Sequence, residues 1–125
     1  MQQRNLRPLK VLYVEDEVLI ALDTEGILRQ LGLTNIVVAL SFEDASRAIV
    51  GNRFDLALLD INLGAGKTSL PIAESLARSG TKILFLSGYN PTPELKARLK
   101  APLIEKPFDE ATVRAAIMSL LEEGR

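Results

Sequence analysis

Phe54–Lys67, FDLALLDINLGAGK, is the stretch that decides the fold. Leu56, Ala57, Leu58 and Leu59 form an unbroken apolar run. Such a run predicts a strand buried on both faces, as in a parallel sheet covered by helices. Asp60 closes it. A carboxylate is costly inside a sheet and useful at its carboxyl edge, where α/β proteins bind ligands. Asn62, Gly64 and Gly66 then turn the chain away.

Working outward, Lys10–Val14 (KVLYV), Asn35–Leu40 (NIVVAL) and Lys82–Leu86 (KILFL) read as further strands, and Pro102–Glu105 as a short one. Helical spacing covers Glu17–Leu31, with Ile20, Thr24, Ile27, Leu28 and Leu31 in one stripe. It also covers Phe42–Val50, with Ala45, Ala48 and Ile49 inward, and Glu110–Glu122, with Val113, Ala116, Ile117, Leu120 and Leu121 on one side. A helix over Thr68–Arg78 must hold Pro71 in its first turn, and Glu94–Leu99 is short and weakly apolar. Ser41 and Asp109 suit N-caps, and Gly32, Gly51 and Gly80 suit helix stops. Residues 1–8 are polar, end in Pro8 and read as a frayed start. Strands alternating with helices over short connections predict an α/β fold: a doubly wound, five-stranded parallel sheet flanked by five helices. One domain over 1–125, with its core at about 9–122, accounts for the whole sequence.

Composition narrows the chemistry. The 125 residues are 47% hydrophobic, enough for a core, with 15 basic against 16 acidic residues. That balance gives no general attraction to nucleic acid or anionic membrane. Cysteine and histidine are both absent. This excludes disulfides, thiolate nucleophiles, Ser-His-Asp triads and ordinary zinc sites. Oxygen-only ligation points to a hard cation such as Mg²⁺. There is no 18-residue apolar run and no apolar core of a signal peptide, so a soluble cytoplasmic protein is expected.

Four of the five strands leave a polar group at or just past their carboxyl ends: Glu15 and Asp16, Asp60, Ser87, and Lys106. In a parallel sheet these ends share one edge. Each piece alone has an ordinary explanation: an acidic first helical turn, a turn residue, a loop serine, surface punctuation at Lys106-Pro107. Their joint placement does not. Two like unit charges about 4 Å apart repel by roughly 4 kcal/mol at an effective dielectric near 20, so three carboxylates need a divalent cation and a lysine. Mg²⁺ held by Glu15, Asp16, Asp60 and the backbone carbonyl of Asn62 would complete its shell with phosphate oxygens. Asp60 is then the candidate phosphoryl acceptor, Lys106 a second charge clamp, and Ser87 a hydroxyl donor to a phosphoryl oxygen.

Gly64–Thr68 imitates the end of a phosphate-binding P-loop. That motif needs glycine five positions before Gly66, where Ile61 stands, so Lys67 is expected to be solvated. An aspartyl phosphatase expects an acid-base aspartate two residues after its nucleophile, where Asn62 stands.

VLYVEDE, LLDINL, FLSGY and EKPF, in this order and spacing, resemble the receiver domain of two-component response regulators over about Leu9 to Leu121. The resemblance implies a CheY-like (flavodoxin-like) sheet of strand order 2-1-3-4-5. It gives Glu15 and Asp16 the place of the Mg²⁺-binding acidic pair, and Asp60 that of the phosphorylated aspartate. Ser87 takes the place of the switch hydroxyl and Lys106 that of the invariant lysine, often followed by a cis proline. It implies a histidine kinase as phosphoryl donor and catalysis only of the domain's own phosphorylation and dephosphorylation. Two departures stand out: Glu15 where aspartate is commoner, and Leu103 where an aromatic switch residue is usual. With Tyr89 in FLSGY and Pro102 before Leu103, the pattern resembles the FATGUY receivers, partnered with kinases of the HWE or HisKA2 type. In that case Tyr89 and the Gly88–Pro93 loop would replace the aromatic toggle. Output is expected by protein contact through the face of the fourth helix, fifth strand and fifth helix, including Lys96, Arg98 and Lys100, or by phosphorelay. A phosphate-independent pseudo-receiver is the alternative.

Overall fold

The computed structural model describes residues 5–88 and 91–122. The elements run β1 (Lys10–Val14), α1 (Val18–Gln30), β2 (Asn35–Ala39), α2 (Phe42–Ala48), β3 (Leu56–Asp60), α3 (Leu70–Arg78), β4 (Lys82–Ser87), α4 (Pro93–Arg98), β5 (Leu103–Glu105) and α5 (Glu110–Glu122). All strand pairs are parallel and the sheet order is β2-β1-β3-β4-β5, a doubly wound α/β fold as expected.

Alternation along the strands builds a core on each face of the sheet. Leu12, Val14, Ala57, Leu59, Ile83 and Phe85 pack with Ala45 of α2 and with Ile72, Ala73 and Leu76 of α3. Val11, Tyr13, Leu56, Leu58, Leu84 and Leu86 pack with Ala21 and Leu28 of α1 and with Val113, Ile117 and Leu120 of α5. β3, in the middle, is buried along its whole length, including Asp60.

Local signals place the helices. The Ser41 hydroxyl accepts from the Asp44 N–H at 3.0 Å, and the Asp109 carboxylate accepts from the Thr112 N–H at 2.8 Å. Gly32, after α1, takes φ +106°, which suits a residue without a Cβ. α3 begins at Leu70, two residues later than the spacing suggests, because Pro71 has to lie in the first turn.

Two details differ from expectation. Residues 5–8 are not a frayed start as a whole: Leu6 is 3% exposed and packs into the α1/α5 core. The buried row of α1 is Ala21, Thr24 and Leu28, whereas Ile20 and Ile27 are half-buried. Val18, Leu19 and Leu22 of that helix face solvent.

Candidate functional site

Register brings the site together. Val14 pairs with Leu59, Asp60 with Leu86 and Ser87 with Glu105. Because the strands are parallel, the residues that follow β1, close β3 and β4, and follow β5 emerge on one edge. Glu15 and Asp16 follow β1, Asp60 and Ser87 end β3 and β4, and Lys106 follows β5.

Glu15, Asp16 and Asp60 each offer a carboxylate oxygen within 4.8 Å of the others. Glu15 is fully buried and Asp60 is 7% exposed, while Asp16 is more open to solvent. Lys106 Nζ reaches Glu15 Oε1 at 2.5 Å and Asp60 Oδ2 at 3.2 Å. Its backbone N–H donates to the Ser87 carbonyl at 2.7 Å, so β4 and the lysine are coupled through the main chain. The Lys106-Pro107 peptide is cis. Ser87 is buried.

The titration of the cluster follows from its surroundings. Burial, then the charge of Glu15, pushes the Asp60 carboxyl up to about 7, and Lys106 only partly opposes this. Burial also pulls on Lys106, but its hydrogen bond to Glu15 and the negative charges of Asp60 and Glu15 outweigh it and hold the ammonium above its ordinary value. Asp60 is therefore short of positive charge even with the lysine in place. Three hard oxygen donors around it fit a divalent cation of the Mg²⁺ kind.

The β3–α3 loop shapes the open side. Asn62 bridges to Thr68, and the Leu63 N–H donates to the Lys67 carbonyl at 2.9 Å. Gly64, at φ +82°, lies so close to the acidic pair that an added Cβ would stand 3.2 Å from Asp16 Oδ2. Lys67 is not simply solvated: it pairs with Glu43 of α2 and lies 5.0 Å from the centre of the Phe42 ring. The loop is thereby tied to α2.

Leu103 pairs with Phe85, which pairs in turn with Leu59 next to Asp60, and lies half-buried with Leu95 and Leu99 against the α2/α3 core. Tyr89 lies outside the described residues. Tyr13 was not singled out by sequence. It is fully buried, and its phenol donates to Glu15 Oε1 at 3.4 Å. One signal was available: a polar-tipped ring in an otherwise aliphatic strand, two residues before Glu15 and so on the same face.

The profile described as response regulator receiver domain matches residues 11–118. The chain belongs to this family. It is 34% identical over 116 residues to the phyllosphere-induced regulator PhyR of Methylorubrum extorquens, covering 90% of this chain but 43% of that protein. It thus spans less than half the length of that relative. Among solved structures, SdrG of Sphingomonas melonis Fr1 is 32% identical with a TM-score of 0.75, over 90% of this chain and 96% of that one. The receiver domain of Erythrobacter litoralis PhyR is 31% identical with a TM-score of 0.74, over 90% and 89%. A groove of about 610 Å³ opens beside the receiver site, between α1 and the β5–α5 turn, lined by Leu19, Ile20, Ile27, Lys106 and Phe108 among others. Among the described residues no helix is long and apolar enough to cross a membrane.

Proposed function

We propose that this receiver domain is a phosphorylation-dependent switch of two-component signalling, with Asp60 as phosphoryl acceptor and a histidine kinase as donor. The observation that supports this most is the convergence of Lys106, Glu15, Asp16 and Asp60 at one sheet edge, with Lys106 bridging two buried carboxylates. In the transfer, an Asp60 oxygen attacks phosphorus in line and the P–N bond of a phosphohistidine breaks. The electron pair stays with the departing imidazole nitrogen. Asp60 must be ionised to attack, and the Lys106 ammonium opposes the rise that burial imposes. Glu15, Asp16, Asp60 and the Asn62 carbonyl would hold Mg²⁺, which supplies positive charge to the phosphoryl oxygens. Lys106 would then pair with the acyl phosphate, and the Ser87 hydroxyl would turn toward it.

The kinase domain is proposed to dock on α1, where Val18, Leu19 and Leu22 are exposed and Leu19 lines the groove beside Lys106. Kinases of the HWE or HisKA2 type and a FATGUY-like switch centred on Tyr89 belong to the same proposal. So does output or phosphorelay in the cytoplasm through the α4–β5–α5 face. Apart from its own phosphorylation and dephosphorylation, the domain would catalyse nothing. One observation favours a phosphate-independent module instead: Lys106 already neutralises part of the acidic cluster.

Intact mass decides between them. With acetyl phosphate and Mg²⁺, the wild type should gain about 80 Da, and Asp60→Asn should gain nothing. If neither acetyl phosphate nor beryllofluoride modifies or perturbs the wild type, the switch is refuted and the phosphate-independent module stands.

A further inference from the structure

Glu15 stands where aspartate is commoner in the family, and both of its carboxylate oxygens already accept from protein donors. Oε1 receives Lys106 Nζ at 2.5 Å and the Tyr13 phenol at 3.4 Å, and Oε2 receives the Glu17 N–H at 3.2 Å. Tyr13 has no exposure, and neither does Glu15. A tyrosine phenol carries its proton at neutral pH, and here it is aimed at Glu15 Oε1 as a donor. The result is a chain of side chains from the buried core of the sheet to the lysine: Tyr13, Glu15, Lys106.

We propose that Tyr13 is a positioning residue that holds the Glu15 carboxylate on Lys106 and so withholds it from the divalent cation, setting the cation affinity of the site. The inference rests on the switch described above. Its physical basis is competition for lone pairs. A hard cation and an N–H or O–H donor draw on the same oxygens, and every donor already on Glu15 has to be shared or displaced when the cation binds. The extra methylene of glutamate over aspartate gives the reach for this inward engagement. Asp16, more open and with Gly64 beside it, is the carboxylate of the pair left facing the cation. Loss of the hydroxyl removes one competitor and leaves the ring to fill the core.

The test is Mg²⁺ titration of wild type and Tyr13→Phe, followed by NMR, with the acetyl phosphate mass assay in parallel. Tyr13→Phe should bind Mg²⁺ about three- to tenfold more tightly, less than the loss of a short charged hydrogen bond would give, because 3.4 Å is long. Leu28→Ala, also buried on the α1 side, should lower stability and leave the Mg²⁺ affinity unchanged. In a Tyr89→Phe background the remaining tyrosine is Tyr13, and its near-ultraviolet absorbance should change as Mg²⁺ binds. Equal or weaker Mg²⁺ binding by Tyr13→Phe, with the phosphoryl gain on Asp60 intact, overturns the role of Tyr13 and leaves the switch standing. A wild type that neither binds Mg²⁺ nor gains the phosphoryl mass overturns both.

Discussion

Asp60→Asn should stabilise the cation-free protein at pH 8, and the size of the effect can be worked from the site. The Asp60 carboxyl is raised from 3.8 to about 7, first by burial and then by Glu15. A difference of about three pKa units corresponds to roughly 4 kcal/mol at 1.36 kcal/mol per unit. The carboxylate lies at the open edge of the sheet, where water screens it, which reduces this to about 1–3 kcal/mol. The sign follows from proton binding. Between about pH 4 and 7 the folded chain holds a proton on Asp60 that the unfolded chain has lost, so stability falls as pH rises through this window. Asparagine cannot ionise. The variant should therefore exceed the wild type by about 1–3 kcal/mol at pH 8, with most of that gap gone by pH 4.5. Urea denaturation in EDTA at the two pH values measures this. Added Mg²⁺ should narrow the gap at pH 8 by stabilising only the wild type. If the wild type gains on Asp60→Asn between pH 4.5 and 8, Lys106 already outweighs burial and the reasoning is wrong.

Lys106→Met should cost about 3 kcal/mol at neutral pH, because it leaves the fully buried Glu15 without its counter-charge; adding Glu15→Gln should recover most of the loss in a double-mutant cycle by urea denaturation. Gly64→Ala should cost about 1–2 kcal/mol through its positive φ and the 3.2 Å approach to Asp16, and should weaken Mg²⁺ binding, as read by thermal melting and cation titration. Leu6→Ala should cost about 2–4 kcal/mol in chemical denaturation if the segment before β1 is part of the core, and close to nothing if it is not.

The sheet and its functional edge were readable because both depend on features with short sequence periods. The run from Leu56 to Leu59 needs only burial on both faces to be recognised, and Asp60 marks the strand end by being the first residue that such burial cannot tolerate. Parallel pairing then places Glu15, Ser87 and Lys106 with no further information, as the register from Val14 to Leu59 and from Asp60 to Leu86 makes plain. What was not readable depends on contacts distant in sequence. Leu6 sits in a polar stretch and is buried by an α1/α5 core assembled from elsewhere. In α1, Ile20 and Ala21 both fit a helical stripe, and only packing against the sheet selects Ala21, Thr24 and Leu28. Lys67 meets a partner on α2, 24 residues away in sequence, which no local pattern announces. Tyr13 carried only a faint signal, its polar tip on the face of Glu15, and the contact itself appears only once the strand is folded.

The two faces of the sheet are unequally able to respond to a charge on Asp60. α5 is anchored by Val113, Ile117 and Leu120, all buried, and α1 by Ala21, Thr24 and Leu28. α4 has no buried residue, and Leu95 and Leu99 contact the core only partly. Displacing it therefore gives up the least apolar burial of any helix beside the site, and elements of low local stability are the ones that move in switches. The connection is direct. Ser87 ends β4, the chain returns through α4, and β5 brings Lys106 back to the carboxylates, with the Lys106 N–H bonded to the Ser87 carbonyl. Any shift of Ser87 or Lys106 toward a phosphoryl group pulls on both ends of the segment that carries α4. Leu103 lies within that segment, half-buried against the same core cluster as Leu95 and Leu99. A leucine there has no polar tip to prefer one of two positions, so in the proposed switch the response would be carried by the backbone of this segment and the seating of α4 rather than by rotation of a ring at position 103.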